Sequence, residues 1–275
     1  MQRKKGRLKR NIPFQTTFFI RQRLRFTDLI PKSPPISCIA PFRRPLYNPR
    51  FHPKNRKHLM NITEIVRQRY STKSFAPSKK IAAEDFAYIE AALRNSPSSV
   101  NMQPWHFIIA DDEAGKARIA KSTEKLPYNT PKITHASHVV VFAARVCADD
   151  DYVAAVLAQE DKDGRFATEE AKQAGDSTRR LFLGIHRNQF QDEEQWLAKQ
   201  VYLNMGFTLF AAAAAGIDAV PMEGVDLQVL NEEFGLTEKG YKAVAVVSFG
   251  YRAADDFNAA LPKSRFENEV IFTKI

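Results

Sequence analysis

Apolar residues are most concentrated in residues 196–224, where strong helix formers run into a short Pro/Gly turn. From Val201 onward the segment is apolar on nearly every face of a helix, so we expect this helix to be packed on all sides. Gly216 follows and predicts a left-handed helix stop. The run at 217–220 then predicts a strand that leads into a turn at 221–224, where backbone N–H groups can be held in a fixed place.

A membrane-spanning segment is the competing interpretation of this run. Residues 201–217 have about the minimum length for a span. The run nevertheless contains Asn204, Thr208 and two glycines, and it is rich in alanine. These features favour a buried helix, and one that two subunits could share, over a helix in lipid.

The remaining pattern predicts several short elements. Asn61 and Glu64 form a capping-box pattern that starts a first helix. Further helices are predicted at residues 82–94, 114–122 and 227–234, and at 150–187 in two pieces broken at 163–165. Strands are predicted at 106–110, 139–144, 243–249 and 270–273, and loops at 96–105, 123–135 and 261–265. Because strands are few and do not alternate regularly with helices, the predicted class is α+β, a small sheet with helices packed on its faces.

Charge divides the chain into two parts. Residues 1–59 contain 16 Lys/Arg and one acidic residue, whereas residues 60–275 contain 25 Lys/Arg and 30 acidic residues. The first part also has 8 of the 15 prolines, so we expect a disordered extension followed by one domain at 60–275. The extension is interpreted as a targeting sequence, as a basic arm for nucleic acid or anionic membrane, or as a segment without functional consequence. The mildly acidic body is not expected to bind nucleic acid or a membrane.

Several motifs that mark common classes of enzyme and metal site are absent from the sequence. Cys38 and Cys147 suggest a reducing, cytoplasmic compartment without a disulfide framework, and no His/Cys cluster has metal-ligand spacing. The sequence has no G-x-G-x-x-G, no P-loop and no G-x-S-x-G elbow. A dinucleotide, if one is used, is therefore not held by a Rossmann crevice.

Three basic clusters lie in predicted loops of the body. They are Arg69, Ser71 and Lys73 after the first helix, Asn129 with Lys132, and Lys263 and Arg265 around Ser264. Single surface lysines are usually solvated charges, which is the plain interpretation of each cluster. Residues i and i+2 of an extended segment point the same way, however, so Lys263 and Arg265 could grip one phosphate.

Six sequence strings together resemble the flavin-dependent nitroreductases, in particular the oxygen-insensitive NAD(P)H nitroreductase or dihydropteridine reductase type. The strings are RYSTKSF (69–75), SPSSVNMQPWHF (96–107), QEDKDGRFAT (159–168), AKQVYLNMG (198–206), DAVPMEG (218–224) and LPKSR (261–265). They occur in family order and at family spacing, and the resemblance covers the body and none of residues 1–59. It implies a mainly antiparallel sheet, FMN as cofactor, and an intertwined homodimer with the long helix at its interface.

The resemblance also implies a set of site residues. Contacts to the FMN phosphate and ribityl chain would come from Arg69, Ser71, Lys263 and Arg265. Tyr70, Thr72 and Ser264, which lie between these residues in the sequence, would also bind the cofactor. The pyrimidine edge of the flavin would face Lys73, Asn129 and Lys132, and the turn beneath the ring would be Pro221, Met222, Glu223 and Gly224. The partner subunit would add Pro97, Ser98, Ser99 and Asn101, and substrate contacts would come from Val100, Arg165 and Phe182.

The implied chemistry needs no side-chain nucleophile and no metal. A flavin takes a hydride at N5, and Lys73 and Lys132 would stabilise the negative charge that develops near N1 and O2. Glu223 would act through its backbone rather than as a general base. The implied function is two-electron, ping-pong reduction of nitroaromatics or quinones by NAD(P)H. The alternatives are a flavin enzyme with another acceptor (dihydropteridine, free flavin, an enoate or a halogenated compound) and, from another class, a basic-arm binding protein.

Overall fold

The structure is a computed structural model that describes residues 61–275, and the expectations for residues 1–59 lie outside the described residues. Four strands are present: β1 (Trp105–Ala110), β2 (His138–Arg145), β3 (Asp218–Met222) and β4 (Tyr241–Gly250). The longer helices are α1 (Ile62–Gln68), α2 (Ala83–Asn95), α3 (Glu113–Ala120), α5 (Asp150–Lys162), α6 (Glu169–Gly184), α7 (Glu193–Ala214) and α8 (Leu227–Phe234), and the short ones are α4 (Thr130–Thr134) and α9 (Asn268–Ile271). The predicted α+β class is therefore confirmed.

The four strands form one antiparallel sheet in the order β1-β2-β4-β3. Successive residues of the central strand β2 point to opposite faces, and both faces are covered. Val139 and Val141 pack with Ile119, Ile133 and Leu230 of α3, α4 and α8. Val140 and Phe142 pack on the other face with Phe86 and Ile89 of α2 and Val201 of α7. Burial on both faces explains why β2 reads as a continuous apolar run rather than an alternating one.

Helix α7 is the predicted central helix, and one of its faces is held by polar contacts. Asn204 donates from Nδ2 to the carbonyl of Leu93 at 2.7 Å, and Thr208 is fully buried beside it. Beyond the end of α7, Gly216 has φ 75°, the left-handed stop that the sequence predicted.

The expectation that α7 is packed on all sides is wrong for a single chain. Tyr202, Leu203 and Phe207 are 39%, 48% and 42% exposed on one side of the helix. Among residues 61–275, the elements that contact α7 are mainly α2, α1 and the sheet, and they cover its other side. An exposed row of large apolar side chains is a common feature of interaction surfaces.

Two local predictions differ from the structure. Residues 270–273 were expected to form a strand, but they belong to α9 and the residues after it, because no strand edge lies beside them in residues 61–275. The loop at 123–135 contains the 3₁₀ turn Pro127–Asn129 and α4, since proline at the first helical positions favours a helix start. Among the described helices, none is long and apolar enough to cross a membrane.

Candidate active site

The segment after α1 lies along the edge strand β3. Asn61 caps α1 with the predicted capping box, and the helix ends at Arg69. Ser71 then forms a parallel bridge with Ala219 of β3, and the backbone N–H of Thr72 donates to the carbonyl of Ala219 at 3.2 Å. This pairing brings residues 69–73 alongside the strand that leads into the turn at 221–224.

The C-terminal segment brings two further cations to the same place. Lys263 donates from Nζ to the carbonyl of Val66 at 2.7 Å and to the carbonyl of Arg69. A cavity of about 600 Å³ is bordered by Arg69, Tyr70, Ser71, Lys263, Ser264 and Arg265, among other residues. We call Arg69, Lys263 and Arg265 the cation cluster. The structure thus brings together the four residues predicted to contact the phosphate and ribityl chain. Tyr70 and Ser264 also border this cavity, and Thr72 does not.

The cation cluster carries unneutralised positive charge. Burial and the neighbouring Arg69 and Arg265 lower the pKa of Lys263, and burial and Arg265 lower the pKa of Arg69. In the part of the chain that the structure describes, no carboxylate lies within 4.0 Å of the charged nitrogens of these three residues. Mutually repelling cations around one cavity are the arrangement that a bound anion stabilises.

A second group of cations, Lys73 and Lys132, lies near the turn at 221–224. Lys132 donates from Nζ to Asn129 Oδ1 at 2.6 Å, and Asn129 donates from Nδ2 to the carbonyl of Gly224 at 2.7 Å. Burial lowers the pKa of Lys132, and the positive charge of Lys73 lowers it further. The residues predicted for the pyrimidine edge are therefore grouped, and Asn129 connects them to the turn.

Gly224 is required by the close approach of Asn129. A Cβ atom at position 224 would lie 2.7 Å from Asn129 Nδ2, well inside contact distance. The atom that requires a glycine here thus belongs to a side chain of the same group, Asn129.

The turn at 221–224 joins the two groups of cations. Pro221 borders a second cavity together with Arg69, Ser71, Lys263 and Arg265, so the turn begins beside the cation cluster. At Glu223, Tyr202 of α7 donates to Oε1 at 2.5 Å, and burial and this hydrogen bond raise the pKa of Tyr202 to about 12. The Glu223 side chain is thus occupied by a structural contact, which agrees with a backbone role for this residue.

Three predicted contact residues have side chains that are buried or that bond to another group. Thr72 and Met222 are buried at 0% and 5% exposure, so they can offer only backbone atoms to the cavity. The hydroxyl of Tyr70 donates to Asp256 at 2.8 Å, and burial and this contact raise its pKa to about 12. Tyr70 therefore holds the C-terminal segment in place beside Lys73, whose backbone N–H points to Asp256 Oδ1 at 3.3 Å.

The residues predicted to come from the partner subunit form a separate group. A cleft of about 680 Å³ is bordered by Pro97, Ser98, Val100, Asn101 and Arg165, among others. Ser99 is fixed nearby, where its N–H donates to Gln200 Oε1 at 2.8 Å. Phe182 is half-buried on α6, one turn after Arg179, which also borders the cleft. No described cavity contains both this group and the cation cluster, as expected if the two groups meet only across two subunits.

Sequence reasoning missed four residues that shape these groups: Tyr202, Asp256, Glu160 and Arg179. Asp256 adjoins another aspartate, and Glu160 and Arg179 lie in charged helical segments, so all three read as solvated charges in the sequence. The contact between Arg179 and Glu160 spans 19 positions of the chain, and the contact between Tyr70 and Asp256 spans 186. Local pattern carries no signal for such contacts.

Comparisons with known proteins agree with this geometry. The model of the Nitroreductase family matches residues 66–251. The chain is 53% identical over 217 residues to the oxygen-insensitive NAD(P)H nitroreductase of Salmonella typhimurium, which covers 78% of this chain and all of that protein. It is 36% identical to the major NAD(P)H-flavin oxidoreductase of Aliivibrio fischeri, over 77% of this chain and 97% of that protein.

A solved structure shows the same fold. It is a protein of Exiguobacterium sibiricum, classed as a nitroreductase and crystallised in complex with FMN, at a TM-score of 0.65 and 26% identity. The match covers 78% of this chain and 97% of that one. The matched family model, the length of the relatives covered and the shared fold lead to one conclusion: this chain belongs to the nitroreductase family.

Proposed function

We propose that this protein is an FMN-dependent oxidoreductase that uses NAD(P)H to reduce nitroaromatics or quinones in two-electron, ping-pong steps. Family membership supports the class of reaction, and the relatives' names supply NAD(P)H, nitro compounds and flavins as candidate substrates. The observation that carries the proposal is the cation cluster, where three positive side chains from two distant segments border one cavity and none has a carboxylate within 4.0 Å among residues 61–275.

The described residues fit FMN at both ends. The phosphate carries nearly two negative charges, and Arg69, Lys263 and Arg265 would neutralise it, with arginine able to form paired hydrogen bonds. Bound FMN supplies the hydride-accepting centre of the reaction. Lys73 and Lys132 would stabilise negative charge at the pyrimidine edge, and Gly224 and Asn129 fix the turn beneath the ring.

We further propose that the enzyme is a homodimer in which α7 lies at the interface. The exposed apolar side chains of Tyr202, Leu203 and Phe207 support this arrangement. In the same dimer, the loop around Val100 and Asn101 would meet the flavin held by the other subunit. A reducing, cytoplasmic compartment fits the free thiol of Cys147 and a supply of NAD(P)H.

The proposal is tested by the visible spectrum of the purified protein. We expect a yellow protein with a flavin spectrum that NADH or NADPH bleaches under anaerobic conditions and that a nitroaromatic or quinone restores. Size-exclusion chromatography with light scattering should give a mass of two chains. A colourless protein that cannot be reconstituted with FMN would exclude this function.

Reduction of free flavin is the second candidate function. The 36% identity to an NAD(P)H-flavin oxidoreductase favours it over the remaining alternatives. Steady-state kcat/KM over a panel of nitroaromatics, quinones, free flavins, a dihydropteridine and enoates would rank the acceptors. The basic-arm interpretation concerns residues 1–59, and salt-sensitive DNA or vesicle binding that depends on those residues would favour it.

A further inference from the structure

The loop of residues 98–103 has a strained backbone, and we call it the strained loop. Val100, Asn101 and Gln103 have φ of 44°, 53° and 47°, in the left-handed region that L side chains disfavour. They are three of the four non-glycine residues with positive φ in residues 61–275. Val100 is the sharpest outlier because its β-branched side chain crowds the backbone there. Such conformations persist where the surroundings over-determine them, and they cluster at binding sites.

A buried ion pair lies directly beneath the strained loop. Arg179 Nη2 lies 2.5 Å from Glu160 Oε2, and the two side chains are only 3% and 6% exposed. Glu160 also accepts a hydrogen bond from Asn101 Nδ2 at 2.7 Å and lies 3.5 Å from Nε of Arg165. Arg179 donates from Nε to the carbonyl of Val100 at 3.2 Å. One ion pair thus contacts three residues predicted to meet the flavin or the substrate.

Stability alone does not account for this pair. A buried ion pair can often be replaced by apolar side chains of similar size without loss of stability, because burial removes hydration from both charges. Arg179 Nη1 adds to that cost, since it is buried and has no hydrogen-bond partner among the described residues. The hydrogen bonds that the pair does make go to the strained loop.

We propose that Glu160 and Arg179 are positioning residues, which hold Val100 and Asn101 in the left-handed conformation and Arg165 beside the cleft. The proposal rests on the proposed function, in which this loop meets the flavin of the partner subunit and the acceptor. The two side chains take no part in the reaction itself. Their charges neutralise each other, and their remaining hydrogen bonds hold the residues that shape the site.

The first test measures the loop itself and needs no bound cofactor. In the double variant Glu160→Met with Arg179→Met, no buried charge is left without a partner, so the fold should survive. Hydrogen exchange of the flavin-free protein should be faster in the peptide covering residues 98–103, and unchanged in a peptide from the middle of α7. The matched control is Arg118→Met with Glu233→Met, which removes an ion pair of 2.7 Å from the other side of the sheet.

The second test measures kinetics per bound flavin. We expect kcat/KM for the acceptor to fall about tenfold in the double variant, mainly through KM, while the melting temperature stays within a few degrees of the wild type. The control pair should leave kcat/KM unchanged. Arg179→Lys, which retains the charge but loses the second donor to Val100, should give a smaller fall, and it tests the same point should the double variant not fold.

Two outcomes would overturn the proposal. One is unchanged exchange in residues 98–103, and the other is unchanged kinetics per bound flavin in a folded variant. Failure of the proposed function is distinguished by the wild type, which would then bind no FMN or oxidise no NAD(P)H. The exchange measurement stays decisive in that case, because it does not depend on the cofactor.

Discussion

The cation cluster and the strained loop use charge in opposite ways. Arg69, Lys263 and Arg265 repel each other and have no carboxylate partner in the described chain, so their charge is available to a ligand. Glu160 and Arg179 neutralise each other in the interior, so their charge is used to fix a backbone. In our proposal the first region binds the cofactor and the second fixes the shape of the site. The difference in burial supports this division, because Glu160 and Arg179 are buried whereas Lys263 and Arg265 are exposed.

The largest expected effect comes from removing the charge of the first region. Lys263→Ala with Arg265→Ala should weaken FMN binding by about 100-fold or more, because each charged hydrogen bond to the phosphate contributes about 1.5–3 kcal/mol. Titration of flavin-free protein with FMN, followed by flavin fluorescence, measures the change. Far-UV circular dichroism should show the fold retained.

The control for this prediction removes the same charge elsewhere. Arg118→Ala with Lys121→Ala also deletes two cations, both of them paired with Glu233. FMN affinity should stay within about twofold of the wild type, because these two cations do not border the cavity and exposed ion pairs contribute little to the stability of the fold. Equal loss of affinity in both double variants would mean that net charge, rather than the cation cluster, governs binding.

The next effect separates the two ends of the site. Lys132→Met should slow flavin reduction by NADPH about tenfold. This loss is smaller than the roughly 100-fold loss seen when a single stabilising donor is removed, because Lys73 still provides a positive charge. FMN affinity should change little, as the phosphate contacts are intact. Stopped-flow absorbance measures the rate, with Lys125→Met, an exposed lysine paired with Asp226, as the control. Loss of the cofactor without slower reduction would place Lys132 among the binding residues.

The two regions also differ in how far the sequence predicted them. The residues of the cation cluster were singled out from loop segments that share a family pattern, and all three border one cavity in the structure. The contacts that support the strained loop were not predicted, because Glu160 and Arg179 lie on amphipathic helices where charges usually face water. The left-handed backbone at Val100 could not be predicted from the sequence either, because β-branched residues rarely adopt this conformation.

Long-range pairing explains the remaining differences. β2 and β4 were predicted from continuous apolar runs, and the fold covers both faces of these strands. Residues 270–273 were also predicted to form a strand, but strand formation needs a partner edge, and none is present for them among residues 61–275. The apolar character of α7 was predicted, whereas the exposure of Tyr202, Leu203 and Phe207 in residues 61–275 was not.

A smaller effect is expected at the turn that joins the cations. Gly224→Ala should lower the free energy of unfolding by about 1 kcal/mol, the low end for overpacking, because the Asn129 amide that meets the new Cβ can shift slightly. Melting temperature should fall by about 2–4 °C. The control is Gly184→Ala, in which the new Cβ would lie 3.8 Å from its nearest neighbour, so the melting temperature should not fall. A drop of equal size in both variants would contradict the assigned contact.

The smallest effect is a proton balance that should appear at the cation cluster and not at the strained loop. Lys263 has a lowered pKa in the flavin-free chain, and contact with a phosphate raises it, so FMN binding should take up a fraction of a proton at alkaline pH. Affinity should therefore fall as pH rises through the interval between the lowered pKa and the pKa of the bound state.

Calorimetry in two buffers of different ionisation enthalpy measures the uptake above about pH 8, where the FMN phosphate, with its second pKa of about 6, no longer titrates. Lys263→Arg should reduce the uptake, because arginine stays protonated, whereas Glu160→Met with Arg179→Met should leave it unchanged. Uptake that survives Lys263→Arg in full would assign the proton to Lys132, whose pKa is also lowered, at the other end of the site.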